Sequence, residues 1–221
     1  MTLGMRVLGV VLVTLFAAAA CDSGGALPVP PAASSTALPA INPPAHVVVG
    51  RQSPDGGPFT LDITTGADSV RVLPGAVDQG LYRVATPTGS AAFPTVHASG
   101  TQVAVGVSGG GNADLTVVLN SSVRWDLRFS AGVGVIDVTL PAPSGARTIT
   151  ETAGASTLNV HLPKATPVTV HAVAGAGLVA LYGQSHSGVA AGSTFRSGSG
   201  ADRYTINAVG GVSSLTVSGV R

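Results

Sequence analysis

Four side chains in the C-terminal half of the chain have types and positions that suit hydrogen bonding to a ligand: Asp137, Asn159, His161 and Tyr182. A carboxylate, an amide and an imidazole offer donors and acceptors, and a phenol adds an aromatic face. The residues around them alternate between apolar and polar types, so all four are expected on the outward face of neighbouring strands. This face is a candidate glycan-binding patch, and a solvated sheet surface is the alternative interpretation.

Other patterns with a chemical meaning are better explained as turns. Gly175–Ala180 has the letters of a dinucleotide-binding fingerprint, but a strand follows it where that motif needs the N-terminus of a helix. Ser185–Ser187 places a histidine between two serines without a third, orienting group or a nucleophile elbow. The only glutamate, Glu151, and Asp137 lie near different strand ends, which does not suit glycoside chemistry. The sequence therefore predicts no catalytic residue and no enzyme.

The histidines do not form a metal-binding pattern. None pairs at a metal-ligand spacing with a cysteine or carboxylate nearby, and the set is His46, His97, His161, His171 and His186. No metal and no other cofactor is expected.

Cys21 is the one residue with a specific covalent chemistry. It is the only cysteine, and it directly follows the small residues Ala17–Ala20. The segment resembles a bacterial lipobox, in which the cysteine thiol receives a diacylglycerol and becomes the first residue after cleavage. Ala18 stands where that motif usually has leucine. Lipidation of Cys21 is predicted, with ordinary cleavage and release of a soluble protein as the alternative.

The residues before and after Cys21 fit this prediction. Arg6 precedes an apolar run, Val7–Phe16, that is too short to span a bilayer, which needs about 20 residues. Residues 1–20 are therefore predicted to be a lipoprotein signal peptide. Residues 21–45 combine the lipidated cysteine with a Pro/Ala-rich segment, which predicts a disordered tether. Residues 46–221 remain for a single β domain.

Strand patterns dominate the rest of the chain. Val123, Trp125, Leu127 and Phe129 fall on one face of a half-buried strand, with polar residues between them. Glycine-led strands then recur, because Gly132, Gly154 and Gly175 are 22 and 21 residues apart. Similar segments follow Gly66, Gly111 and Gly211, the last after an insertion around Ser185–Gly200.

A repeat of about 22 residues with short strands predicts an all-β fold, a β-solenoid-like ladder of Gly-rich coils. A β-sandwich is the alternative architecture. Stacking would place aliphatic side chains in two interior columns: Ile136, Leu158 and Val179, then Val138, Val160 and Leu181. In this arrangement Ser218–Arg221 would be a thin cap at an open end of the ladder, where unpaired backbone invites self-association.

Residues 125–183 resemble the toast-rack-like, adhesin-type β domains of bacterial envelope proteins. That family has a Trp-x-Leu strand, Gly-rich turns and strands that end in Leu-Pro, which correspond here to Trp125–Leu127, Ala131-Gly132, Leu140-Pro141 and Leu162-Pro163. The resemblance implies a β fold in the envelope and a non-catalytic role, and it supplies no catalytic residue. The chain differs from the envelope-stress regulators of that family in having a lipid anchor instead of transmembrane helices.

Composition limits the partners and the compartment. The formal net charge of +1 gives no basic field for nucleic acid, and 30 glycines with 15 prolines exclude a coiled coil or helical bundle. Ten arginines against one lysine suggest a GC-rich, actinobacterial genome.

The sequence thus predicts a lipoprotein anchored on the extracytoplasmic face of the cell membrane. Its expected work is to bind an envelope protein or a cell-wall glycan without catalysis. A lipid or glycan carrier is the alternative, and a wall-directed hydrolase or lyase is a weaker one.

Overall fold

The computed structural model describes residues 44–50, 57–77, 80–111 and 113–220. This part of the chain contains strands and turns and no helix. The strands are β1 (Pro44–Gly50), β2 (Phe59–Ile63), β3 (Ala67–Gly75), β4 (Tyr82–Pro87), β5 (Ala92–Ser99), β6 (Gln102–Gly109), β7 (Asp114–Asn120), β8 (Trp125–Phe129), β9 (Val133–Thr139), β10 (Ala146–Glu151), β11 (Ala155–Pro163), β12 (Val168–Ala172), β13 (Ala176–Leu181), β14 (Gln184–Val189), β15 (Ser193–Ser197), β16 (Arg203–Ala208) and β17 (Val212–Val220).

The predicted signal peptide, Cys21 and nearly all of the predicted tether lie outside the described residues. The first described strand begins at Pro44, two residues before the predicted start of the β domain. Across the described residues, no helix is long and apolar enough to cross a bilayer.

The strands form two mixed sheets, and the predicted all-β class is confirmed. One sheet has nine strands in the order β1-β4-β7-β3-β9-β11-β17-β13-β14, and the other has eight in the order β15-β12-β16-β10-β8-β2-β6-β5. Inward-facing side chains of both sheets form a common hydrophobic core. This arrangement is compatible with the sandwich alternative.

Six two-strand repeats make up most of the two sheets. Each begins with a strand in the eight-stranded sheet and continues with a strand in the nine-stranded sheet. In chain order we call them repeats A (β2, β3), B (β6, β7), C (β8, β9), D (β10, β11), E (β12, β13) and F (β16, β17). Neighbouring repeats pair in parallel in both sheets.

The spatial order of the repeats is B-A-C-D-F-E, so it is not the order of the chain. Repeat B lies outside repeat A, and repeat F, the last in the chain, lies between repeats D and E. A solenoid in which each coil stacks on the one before it is therefore not what the described residues show. In the C-terminal half the chain therefore leaves a gap between repeats D and E and fills it later with repeat F.

The core consists of aliphatic columns that run across the repeats. In the nine-stranded sheet one column contains, in spatial order, Leu115, Val70, Ile136, Leu158, Leu215 and Val179. The next contains Val117, Val72, Val138, Val160, Val217 and Leu181. Both predicted columns are present. Val179 and Leu181 lie one strand further from Leu158 and Val160 than expected, because Leu215 and Val217 on β17 lie between them.

Reversed strands cover the two ends of the stack. At one end β4 and β5 pair antiparallel to β7 and β6, and β1 pairs with β4. At the other end β14 and β15 pair antiparallel to β13 and β12. The prediction that Ser218–Arg221 caps an open end is wrong in its position, because β17 lies inside its sheet between β11 and β13.

Candidate functional site

A strip of polar side chains crosses the outer face of the nine-stranded sheet. His161 on β11 lies between Asp137 on β9 and Ser218 on β17. Its Nε2 is 3.4 Å from Asp137 Oδ1, and its Nδ1 is 2.7 Å from Ser218 Oγ. The side chains of His161 and Asp137 are 32% and 31% exposed, so all of this hydrogen-bonding chemistry is at the surface. We call these three residues the polar strip.

The local sequence explains why the strip faces outward. Buried Leu158, Val160 and Leu162 alternate with outward residues along β11. The same alternation on β17 buries Leu215 and Val217 and turns Ser218 outward. Parallel pairing puts His161 opposite Ser218, 57 residues away in the chain.

The structure brings together three of the four residues predicted for the patch. Asn159 lies on the same face as His161, and it is paired in register with Asp137. Tyr182 is further away, because β17 lies between β11 and β13, so Ser218 takes the neighbouring position that Tyr182 was expected to have. The Tyr182 hydroxyl instead donates to Thr166 O at 2.9 Å, and the ring packs against the core.

Sequence reasoning missed Ser218. The segment after Gly211, which contains Leu215 and Val217, was predicted to be similar to the other repeats, but it was not aligned with the interior columns. Aligning those two residues with Leu158 and Val160 would have placed Ser218 at the level of His161, which is the signal that identifies it.

The polar strip can bind a ligand, but it is poorly suited to nucleophilic catalysis. A serine hydrolase needs free N–H donors aimed at the developing oxyanion. Ser218 lies within β17, and its strand pairs with β11 as far as Val220. Its backbone is therefore part of a sheet ladder, and no turn at the nucleophile presents N–H groups to a substrate.

A shallow depression lies on the same sheet, near the starts of these strands. Its floor consists of residues with little or no side chain, including Gly134, Ser156, Gly177 and Ser213. At this level two residues, instead of the usual one, separate successive inward-facing residues on β9, β11, β17 and β13. A Cβ on Gly134 would lie 2.6 Å from Asp68 O, and one on Gly177 would lie 2.6 Å from Ser213 O. The close approach of the strands therefore requires glycine at these two positions.

The described residues do not form a metal-binding cluster. Among the residues that the structure describes, no three His, Cys, Asp or Glu side chains come together as a metal site would require. Asp137 and His161 form a pair without a third such group.

No protein-family model and no curated protein matches this chain. The chain is similar in structure to a protein from Clostridium sporogenes named a "putative cell adhesion protein". The TM-score is 0.41 and the sequence identity 12%, over 77% of this chain and 97% of that one.

Proposed function

We propose that the protein is a lipoprotein anchored through Cys21 on the extracytoplasmic face of the cell membrane, where it binds an envelope protein or a cell-wall glycan without catalysis. The binding surface in this proposal is the outer face of the nine-stranded sheet over repeats C, D and F. The observation that carries it is the polar strip, because its donors and acceptors are exposed and held on paired strands.

The strip is well organised for recognition. Its three side chains stand on adjacent parallel strands, which lie about 4.8 Å apart. Because the backbone is fixed by pairing on both sides, little ordering entropy would be lost on binding. The hydroxyl, imidazole and carboxylate of the strip, with the neighbouring amide of Asn159, are suited to the hydroxyl and amide groups of a wall glycan or of a peptide backbone.

The test is affinity capture of the full chain from cross-linked cells. The native chain is compared with Cys21→Ala and with the double variant Asp137→Ala/His161→Ala, and each preparation is weighed intact. The native chain should carry the added lipid mass, and Cys21→Ala should not. One envelope protein or wall glycan should be enriched with the native chain and reduced about tenfold with the double variant, as expected when a central contact of an interface is lost.

His171→Ala is the matched control. His171 is also an outward histidine bonded to a hydroxyl, with 3.0 Å between its Nδ1 and Thr194 Oγ1, but it lies on the other sheet. Capture should be unchanged in this variant. Equal capture by the double variant would refute the role of the polar strip, and absence of lipid mass on the native chain would refute the anchor.

One observation favours a second candidate function, a hydrolase. The contacts from Ser218 to His161 to Asp137 contain the three residue types of a serine hydrolase. Turnover of wall glycans or esters by the purified protein, lost in both Asp137→Ala and His161→Ala, would support this function against the binding role.

A further inference from the structure

A cavity of about 280 Å³ lies at the end of the sandwich where strands of the nine-stranded sheet lead into strands of the eight-stranded sheet. The unusual order of the repeats accounts for its position. The chain from β7 to β8 has to pass the end of β3, because repeat A lies between repeats B and C. Pro74, near the end of β3, lines the cavity under this crossover.

In the corresponding crossover of the other half of the molecule, a side chain lies over the strand end. There the chain from β11 to β12 passes the end of β17. A Cβ on Gly219 would lie only 3.2 Å from Lys164 Cγ, so the lysine side chain occupies that space. The end of β17 is thus covered by a side chain, whereas the end of β3 lines the cavity.

The lining combines apolar walls with positive charge. Trp125, Leu140, Pro141 and Tyr204 provide aromatic and aliphatic surface, and Arg124 and Arg147 provide two guanidinium groups. The lining residues include no aspartate or glutamate. A mostly apolar cavity with a few convergent polar groups is the usual form of a small-molecule site.

Arg147 has hydrogen-bonding capacity that the protein does not use. Its side chain is only 12% exposed, and its Nη1 lies 3.3 Å from Asp126 Oδ2. Its Nε is buried and has no acceptor among the described residues. A guanidinium has five N–H donors, and a buried donor without an acceptor is destabilising. The other oxygen of Asp126 already accepts from the Thr148 N–H at 2.7 Å.

We propose that this cavity binds a small ligand with one anionic head group, a carboxylate or a phosphate, and a short apolar body. Arg147, with Arg124 at the exposed mouth, holds the head group. The apolar body lies against Leu140, Pro141 and the ring of Trp125. The cavity volume equals roughly nine waters at about 30 Å³ each, so ligands of about that many heavy atoms fit. This proposal does not depend on the proposed function, because the site lies apart from the polar strip.

Trp125 allows a direct test, because it is the only tryptophan in the chain. The full chain is titrated with octanoate, octyl phosphate, octanol and acetate while the Trp125 emission is recorded. Octanoate, octyl phosphate or both should give a saturable change in emission. Octanol and acetate should bind at least about tenfold more weakly, since each lacks one of the two recognised parts. A preference between the two anions identifies the head group.

Two variants and one control locate the site. Arg147→Met keeps an unbranched, flexible side chain but removes the guanidinium and its charge, and should weaken binding of the anion by about tenfold to a hundredfold. Ala142→Phe, at an exposed lining residue, should weaken it by filling the cavity, and remains informative if Arg147→Met fails to fold. Arg196→Met, at an exposed arginine on β15, should bind like the native chain.

The proposal is overturned if neither anion gives a saturable response, if octanol binds as tightly as octanoate, or if Ala142→Phe binds as the native chain does. Loss of binding in Arg196→Met equal to that in Arg147→Met would also overturn it. Capture of an envelope partner through the polar strip is unaffected by any of these results.

Discussion

Single side chains at the junctions between the sheets are tied to the backbone of neighbouring repeats. The Tyr204 hydroxyl donates to Pro141 O at 3.0 Å, and Trp125 Nε1 donates to Asn120 O at 3.2 Å. Each of these bonds joins a buried ring to a crossover. The aromatic residues thus hold the loops in place as well as fill space.

Ionisation of Tyr204 makes the free energy of unfolding depend on pH in the alkaline range. Burial raises the pKa of Tyr204 well above its ordinary value of 10.0, with a smaller opposing effect from Arg147 and a smaller reinforcing one from Asp126. The unfolded tyrosine loses its proton near pH 10, whereas the folded one keeps it. Stability contributed by this group is therefore complete below pH 10 and is lost as pH rises above it, by up to about 1.4 kcal/mol per pH unit.

The variant Tyr204→Phe separates these effects. It should lower the free energy of unfolding by about 1 kcal/mol at pH 8, because the hydrogen bond to Pro141 is lost. Between pH 9 and pH 11 its stability should fall less steeply than that of the native chain, measured by denaturant titration at each pH. Tyr182→Phe is the control, because burial also raises the pKa of Tyr182 while its bond to Thr166 lowers it, and a smaller change is expected. An unchanged slope in Tyr204→Phe would refute the assignment.

Individual strands were largely predictable from the sequence. The expected burial of Trp125, Leu127 and Phe129 is confirmed, with polar residues between them facing out. The register is also confirmed where the glycine spacing indicated it, since Ile136 pairs with Leu158 and Val138 with Val160. Alternation and turn residues are local signals, and they fix which residues of a strand point inward.

The order of the strands was not predictable in the same way. The two interior columns of the nine-stranded sheet contain only valine, leucine and isoleucine, so on this side one repeat packs on another about equally well. Leu215 lies against Leu158 and Val179, positions that an uninterrupted coil order would have made neighbours. Which repeat packs beside which is decided by long-range strand pairing. Of the polar strip, only Asp137 and His161, in repeats C and D, were therefore predictable.

The close approach of β3 and β9 at Gly134, under the shallow depression, gives a prediction for the stability of the nine-stranded sheet. In Gly134→Ala the new methyl group would meet Asp68 O at 2.6 Å, and β3 and β9 would have to separate. The expected loss in the free energy of unfolding is about 1–3 kcal/mol. Gly110→Ala, where nothing lies within 4 Å, should change it by less than about 0.5 kcal/mol. Equal denaturation midpoints of the two variants would contradict this account.

At the scale of the whole molecule, repeat F holds the C-terminal half together. Its strands pair with repeat D on one side and repeat E on the other, in both sheets. Residues 203–220 therefore lie inside the stack although they follow all the other repeats in the chain. Strand β1, in contrast, pairs with β4 alone, at an edge.

Two deletions should therefore differ greatly in effect. Removal of residues 203–220 breaks the contact between repeats D and E and exposes the columns that contain Leu158 and Val179. Cooperative unfolding of the C-terminal half should be lost, as followed by circular dichroism and calorimetry. Removal of residues 44–50 should leave a cooperative transition with a lower midpoint. A cooperative transition of native size after the first deletion would show that repeats D and E can pair directly.

The position of repeat F also determines the order in which the C-terminal half folds. A chain made from its N-terminus delivers repeat F after repeats D and E, so these two repeats lie beside an unfilled position until residues 203–220 arrive. Closure then depends on contacts far apart in the chain, which slows the last step of folding. During that interval the aliphatic edges on either side of the vacancy are open to any extended segment, whether from a second nascent copy or from a chaperone. The folded protein shows no sign of this intermediate, because repeat F then lies in its interior.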